Sequence, residues 1–201
     1  MPHSYCCLLK DKEFLQSLNR FILASQSPRR ADLLKFIIKD FTIQVSESEE
    51  IIDPRLNSQQ LVMELAKEKA LEVSLNNKDA YVLGFDTLVI LDGQPLGKPK
   101  DKKDAFNMLK SLSGRSHLVV TGCAIIKGDY VDKFSDEAVV TFNKVTDEEI
   151  NEYLETGEPF DKAGAYGIQG YGARYIKEIK GDYYSVMGMP LQKLYNKLRR
   201  L

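Results

Sequence analysis

Ala80-Tyr81-Val82-Leu83-Gly84-Phe85-Asp86-Thr87-Leu88-Val89-Ile90-Leu91 is the stretch on which the fold turns. It is apolar at nearly every position, and the turn pair Asp92-Gly93 follows it directly. A run of this kind reads as a hydrophobic strand. Only Asp86 and Thr87 interrupt it. An unpaired carboxylate in such a strand costs several kcal/mol to bury, roughly 2–7 even for a neutral polar group. Asp86 therefore calls for a cation, backbone donors or a metal. A purely structural ion pair at a strand end is the alternative reading.

Working outward, Phe21 to Ala24 reads as a short buried strand that Ser25-Gln26-Ser27-Pro28 breaks. Arg29 to Ile38 reads as a helix, with Ser27 as cap and Pro28 at its first position. Phe41 to Val45 returns as a strand, and the acidic loop Glu47 to Glu50 follows. Ser58 opens a long helix to about Leu75, with Leu61, Leu65, Ala66 and Val73 on its apolar stripe. Beyond the central strand, Asp104 to Leu112 is amphipathic and Gly114 ends it. Leu118 to Ile126 and Tyr130 to Phe142 form a hairpin through Gly128-Asp129. Thr146 to Glu149 is a capping box that opens a helix to about Thr156. Ala163 to Gly170 is a glycine-rich loop, Tyr171 to Ile179 a strand, and the last helix starts near Pro190. Interleaved helices and strands with a hairpin mean α/β architecture with a mixed sheet. Tyr183 and Tyr184 read as core aromatics, and Cys123 as a small strand hydrophobe.

Composition narrows the function. The chain has 201 residues, 43% hydrophobic and 28% charged, with 28 Lys and Arg against 29 Asp and Glu for a net charge of −1. That balance suits a globular domain and disfavours a polynucleotide partner, which normally requires a basic excess. The longest stretches free of Asp, Glu, Lys and Arg, Ser116 to Ile126 and Ala163 to Ala173, cover about half a bilayer span, so no membrane partner is expected. Met1 to Arg20 lacks the apolar core of an export signal. The three cysteines, Cys6, Cys7 and Cys123, contain no paired-thiol motif, and the expected location is cytoplasmic. With only His3 and His117 available, any metal would be held by carboxylates and substrate oxygens, which points to Mg²⁺ or Mn²⁺.

Several residues carry chemistry. Ser25 to Arg30 lies where a strand hands over to a helix, and its serines and arginines suit phosphate; a capped helix with two solvated arginines is the plainer reading. Lys69 has Val62, Leu65, Ala66 and Val73 as its helical neighbours, so it sits on the apolar stripe, snorkelling or aimed at something anionic. Lys98 stands in Gly97-Lys98-Pro99. Gln169, flanked by glycines, can present an amide to a base edge. Arg29, Arg30, Lys69 and Lys98 facing a polyphosphate, with Glu49 and Asp86 holding a divalent ion or activating water, form the set that phosphoanhydride cleavage needs.

Five motifs in order, Leu23-Ala-Ser-Gln-Ser-Pro-Arg-Arg30, Gly84-Phe-Asp-Thr87, Gly97-Lys-Pro99, Leu112-Ser-Gly-Arg-Ser-His117 and Asp161-Lys-Ala-Gly-Ala-Tyr-Gly-Ile-Gln-Gly170, resemble the Maf family of nucleoside triphosphate pyrophosphatases. The resemblance covers Phe21 to Leu201 as a single domain and leaves residues 1–20 as an N-terminal extension. It implies an inosine triphosphatase-like fold: an elongated mixed sheet flanked by helices, in two lobes with a central cleft. It also implies hydrolysis of a nucleoside triphosphate to the monophosphate and pyrophosphate with a divalent cation, in the branch acting on dTTP and UTP. Carried over by motif, Asp86 is the proton acceptor and Arg29, Thr87 and Gln169 set specificity. Ser25, Arg29, Arg30, Lys69 and Lys98 contact phosphate, and Asp86 and Glu49 are the metal carboxylates. Members are often dimers, so a homodimer is an expectation. Phe85 stands where a smaller residue is usual, and strand alternation aims it away from Asp86, so only packing should change. The alternative function is a nucleotide-binding regulator of cell division with little turnover.

Overall fold

A computed structural model describes residues 20–47 and 52–201; the N-terminal extension before Arg20 and the candidate metal carboxylate Glu49 lie outside the described residues. β3 (Ala80–Leu91) is central to a seven-stranded sheet. β1 (Arg20–Ala24) and β2 (Thr42–Ile43) follow on one side, both pairs parallel. On the other side β5 (Ser116–Lys127), β6 (Tyr130–Phe142) and β7 (Ile176–Gly181) continue antiparallel. β4 (Gln94–Leu96) folds back on β3 through Asp92-Gly93, both at positive φ as a tight hairpin requires. The mixed α/β sheet is the expected one. Among the described residues, no helix is long and apolar enough to cross a membrane.

The helices are α1 (Pro28–Leu34), α2 (Ser58–Leu75), α3 (Lys102–Leu112), α4 (Asp147–Glu155), α5 (Tyr183–Val186) and α6 (Leu191–Leu198). Reciprocal capping boxes start two of them, Asn57 with Gln60 on α2 and Thr146 with Glu149 on α4. α2 lies on one face of the sheet and almost touches its backbone. A Cβ added to Gly84 would come within 2.1 Å of the Ala66 carbonyl oxygen, and one added to Gly122 within 2.3 Å of that of Val62. Only glycine admits this approach. It brings the stripe of α2 down onto the face that carries Gly84, Asp86 and Leu88. There Ala66, Ala70, Val82 and Ala124 form one buried cluster, and Val62, Leu65, Leu88 and Val120 another.

The opposite face of β3 is divided. Leu83 and Phe85 belong to a core with Leu23, Leu34, Ile38 and Leu194, whereas Val89 belongs to a second core with Leu109, Phe142, Tyr153 and Tyr166. β5 splits in the same way, with Cys123 in the first core and Val119 in the second. Thr87 and its directly opposed partner Thr121 fall at the seam. These cores are the two lobes expected. The sheet is also notched here: β1 accompanies β3 only to Gly84, and β4 joins it only from Val89. Phe85 to Leu88 has a strand neighbour on the β5 side alone, so side chains of both faces reach one opening.

Several local expectations differ. Gly170–Tyr175 is a 3₁₀ turn and the strand starts only at Ile176. The Glu158 carboxylate accepts the backbone N–H groups of Tyr171 and Gly172, which takes them out of any ladder. The strand expected over Phe41 to Val45 shrinks to Thr42–Ile43, an exposed sheet edge. The first helix stops at Leu34, and Ser27 makes no side-chain cap bond. Tyr183 and Tyr184 are 41% and 39% exposed on α5, not core aromatics. Phe85 is fully buried in the core opposite Asp86, as alternation requires.

Candidate active site

The notch opens into a cavity of about 690 Å³, within the range of about 300–1,000 Å³ usual for small-molecule sites. Five cations (Arg29, Arg30, Lys69, Lys98 and Lys162) line it against two carboxylates, Asp86 and Asp161. A chain of net charge −1 therefore concentrates positive charge in its cleft, the arrangement that draws in a polyanion. Leu88, Val89, Val119, Tyr166 and Ile168 supply apolar wall.

Asp86 is 6% exposed, and its Oδ1 lies 2.5 Å from the Lys69 Nζ. The pair follows from the glycine contact: Lys69 is one turn beyond Ala66, which rests on Gly84, and Asp86 is two residues along the same strand face. Lys69 thus leaves the apolar stripe for a buried carboxylate, not for water. The geometry suits a carboxylate held in place to accept a proton or contribute an oxygen ligand.

The β1–α1 loop meets β3 through Arg30. Its Nε donates to the Gly188 carbonyl at 2.9 Å. Nη1 donates to the Phe85 carbonyl at 3.1 Å and to Ser25 Oγ at 3.2 Å, and Nη2 to Thr87 Oγ1 at 3.0 Å. Phe85 and Thr87 flank Asp86, so Arg30 braces the strand on both sides of the carboxylate. Arg29 reaches Asp161 across the cleft at 3.4 Å. Ser25 is buried, and its Oγ accepts the Ser27 N–H at 3.2 Å as well as the Arg30 guanidinium. Lys98 is exposed at the rim.

The structure gathers Ser25, Arg29, Arg30, Lys69, Asp86, Thr87 and Lys98 around one cavity. Gln169 is exposed and is not among the lining residues, although Gly167 and Ile168 are. Sequence reading missed Lys162, whose Nζ lies 2.6 Å from both the Glu158 carbonyl oxygen and Asp161 Oδ1. Its signal was a lysine immediately before a glycine-rich loop. His117 was missed too. It is buried on β5, its Nε2 hydrogen-bonded at 2.7 Å to the hydroxyl of the wall residue Tyr166, and its Nδ1 has no partner among the described residues. Burial pushes the imidazole down to about 4 and the Tyr166 phenol well up, so both are neutral at pH 7. No group of three or more His, Cys, Asp or Glu gathers among the described residues.

A notched mixed sheet around a cationic cleft is the architecture to compare with known proteins. The fold is similar to that of a HAM1 protein from Coxiella burnetii, with a TM-score of 0.56 at 15% identity over 91% of this chain and 100% of that one. A family model described as Maf-like protein matches residues 20–201. Two relatives named dTTP/UTP pyrophosphatase, from Bacillus velezensis and Aquifex aeolicus, are each 47% identical to it over 90% of this chain and 95% of their own length. The chain belongs to the Maf-like protein family.

Proposed function

We propose that this protein hydrolyses dTTP and UTP to the monophosphate and pyrophosphate. The observation that carries the reading is the Lys69–Asp86 pair, a carboxylate set by a lysine at the floor of a cationic cleft; the names of the relatives supply the substrates. Asp86 accepts the proton of the attacking water, and Lys69 fixes the direction of its carboxylate. Attack at the α-phosphorus breaks the α–β anhydride bond, and pyrophosphate leaves. Arg29, Lys98 and Lys162 neutralise the leaving group, with Ser25 as a donor and Arg30 adding its charge from the loop.

The donor chemistry also fits a divalent cation. Mg²⁺ binds through one or two carboxylates plus substrate phosphate oxygens, and Asp86 is a carboxylate in the cavity that Arg29, Arg30, Lys69, Lys98 and Lys162 also line. Asp86 would hold the metal, with Glu49 as its sequence-expected companion. When bound, the cation neutralises phosphate charge and polarises the anhydride. Thr87 faces the pyrimidine edge. Gln169, one residue past the wall residue Ile168, completes base recognition, and Gln169→Ala is expected to change base preference more than turnover of the best substrate.

Product analysis tests the proposal: UTP, dTTP, CTP, GTP and 7-methyl-GTP are incubated with Mg²⁺ or Mn²⁺ and resolved by anion exchange. UMP and dTMP with equimolar pyrophosphate are expected. Diphosphate with orthophosphate would place the cleavage elsewhere, and tight binding without products would turn the reading to a nucleotide-binding regulator.

A further inference from the structure

Thr87 does more than line the cavity, because its hydroxyl is the middle of a hydrogen-bond relay whose direction can be worked out. The far end is the Ser185 carbonyl, which can only accept. Thr121 Oγ1 lies 2.7 Å from it and therefore donates its single proton there. Across the 2.9 Å contact between the two threonines, Thr121 must then accept and Thr87 must donate. From the other side Arg30 Nη2, which can only donate, approaches Thr87 Oγ1 at 3.0 Å. A hydroxyl has one proton and two acceptor lobes. The proton is committed to Thr121 and one lobe to Arg30, which leaves one acceptor lobe.

Both ends of the relay are anchored. Ser185 sits in the short helix α5, and the Asp182 carboxylate accepts its N–H at 2.8 Å and its hydroxyl at 2.7 Å. The Arg30 guanidinium is held at Ser25, Phe85 and Gly188 besides Thr87. Thr87 cannot turn its proton toward the cavity without breaking its bond to Thr121.

We infer that Thr87 is a fixed acceptor, so the base group it recognises is a donor: the ring N–H between the two carbonyls of uracil or thymine. This rests on the reading that Thr87 faces the base. Cytosine presents a lone pair at that ring position, and acceptor would meet acceptor. Its amino group lies one ring position away and would reach Thr87 only if the base shifted. Thr121, which touches no substrate, thereby becomes a positioning residue for base choice.

The test compares kcat/KM for UTP, CTP and UTP methylated on its ring nitrogen, in the wild type and in Thr87→Val, Thr121→Val and Thr121→Ser, with a thermal melt of each. The wild type should prefer UTP over both other nucleotides by about tenfold or more. Thr121→Val frees the Thr87 proton, and the UTP-to-CTP ratio should fall about tenfold, chiefly through a gain on CTP. Thr121→Ser should restore the ratio. A merely structural Thr121 would lower both substrates equally, and that unchanged ratio would overturn the inference. So would wild-type enzyme that turns over methylated UTP as well as UTP, an arm that needs no variant to fold. If Thr87→Val leaves the ratio untouched, Thr87 does not face the base and the underlying reading fails. If no nucleotide yields a monophosphate and pyrophosphate, the proposed activity itself fails.

Discussion

The two faces of β3 at the notch are built in opposite ways. On the α2 face, Asp86 is reached by one lysine from a helix that glycine lets rest on the strand backbone. On the other face, Thr87 lies at a seam between two cores and is held by a hydrogen-bond relay that runs from Arg30 to Ser185. One face relies on close packing, the other on directed hydrogen bonds. The difference teaches that neighbouring residues on one strand can be given separate surroundings by alternation alone, and the proposed function assigns reaction to Asp86 and recognition to Thr87.

The comparison can be broken most forcefully at Asp86. Asp86→Asn keeps the shape and removes the base, so UTP turnover is expected to fall about a thousandfold; steady-state kinetics with a melting curve would show loss of rate in a folded protein. Full retained activity would detach the chemistry from this face. Gly84→Ala attacks the packing that delivers Lys69. Its methyl group would meet backbone, and α2 must lift, so a loss of about 3 kcal/mol is expected in urea unfolding. An unchanged midpoint would mean that the helix is not seated on the strand.

Acid sharpens the other face. His117 binds a proton with a pKa near 6.5 when unfolded but only near 4 when folded. The unfolded chain therefore binds more protons in between, so this residue's contribution is complete above about pH 6.5 and is lost as pH falls toward 4. The loss is on the order of 3 kcal/mol, read as a falling unfolding midpoint that His117→Gln should flatten. The smallest effect belongs to the bridge across the mouth. Arg29 and Asp161 are both solvent-accessible, and Asp161→Asn should change stability by less than about 1 kcal/mol. A larger shift in the same unfolding assay would make the bridge a structural clamp between the lobes.

The first face was far more legible than the second. Asp86 and Lys69 each violate a local apolar pattern, one in a strand and one on a helix stripe, and a violation can be seen without knowing the fold. Thr121 violates nothing, since threonine is ordinary in a strand; its pairing with Thr87 exists only once the register of β5 on β3 is known. Arg30 could be recognised as a cation near phosphate, but not as a brace on Phe85, Thr87 and Gly188, because those partners lie 55 to 158 residues away. Tyr171 to Tyr175 reads as strand in the sequence, and it is not one because the Glu158 carboxylate takes the N–H groups of Tyr171 and Gly172. Local pattern reveals what is locally costly, and it is silent where ordinary residues gain their role from register.

The most direct test of attack at the α-phosphorus is hydrolysis of UTP in water enriched in the heavy oxygen isotope, with both products weighed by mass spectrometry. The label is expected in UMP alone, with unlabelled pyrophosphate. Label in the pyrophosphate would place the attack on the β-phosphorus and contradict the proposed reaction.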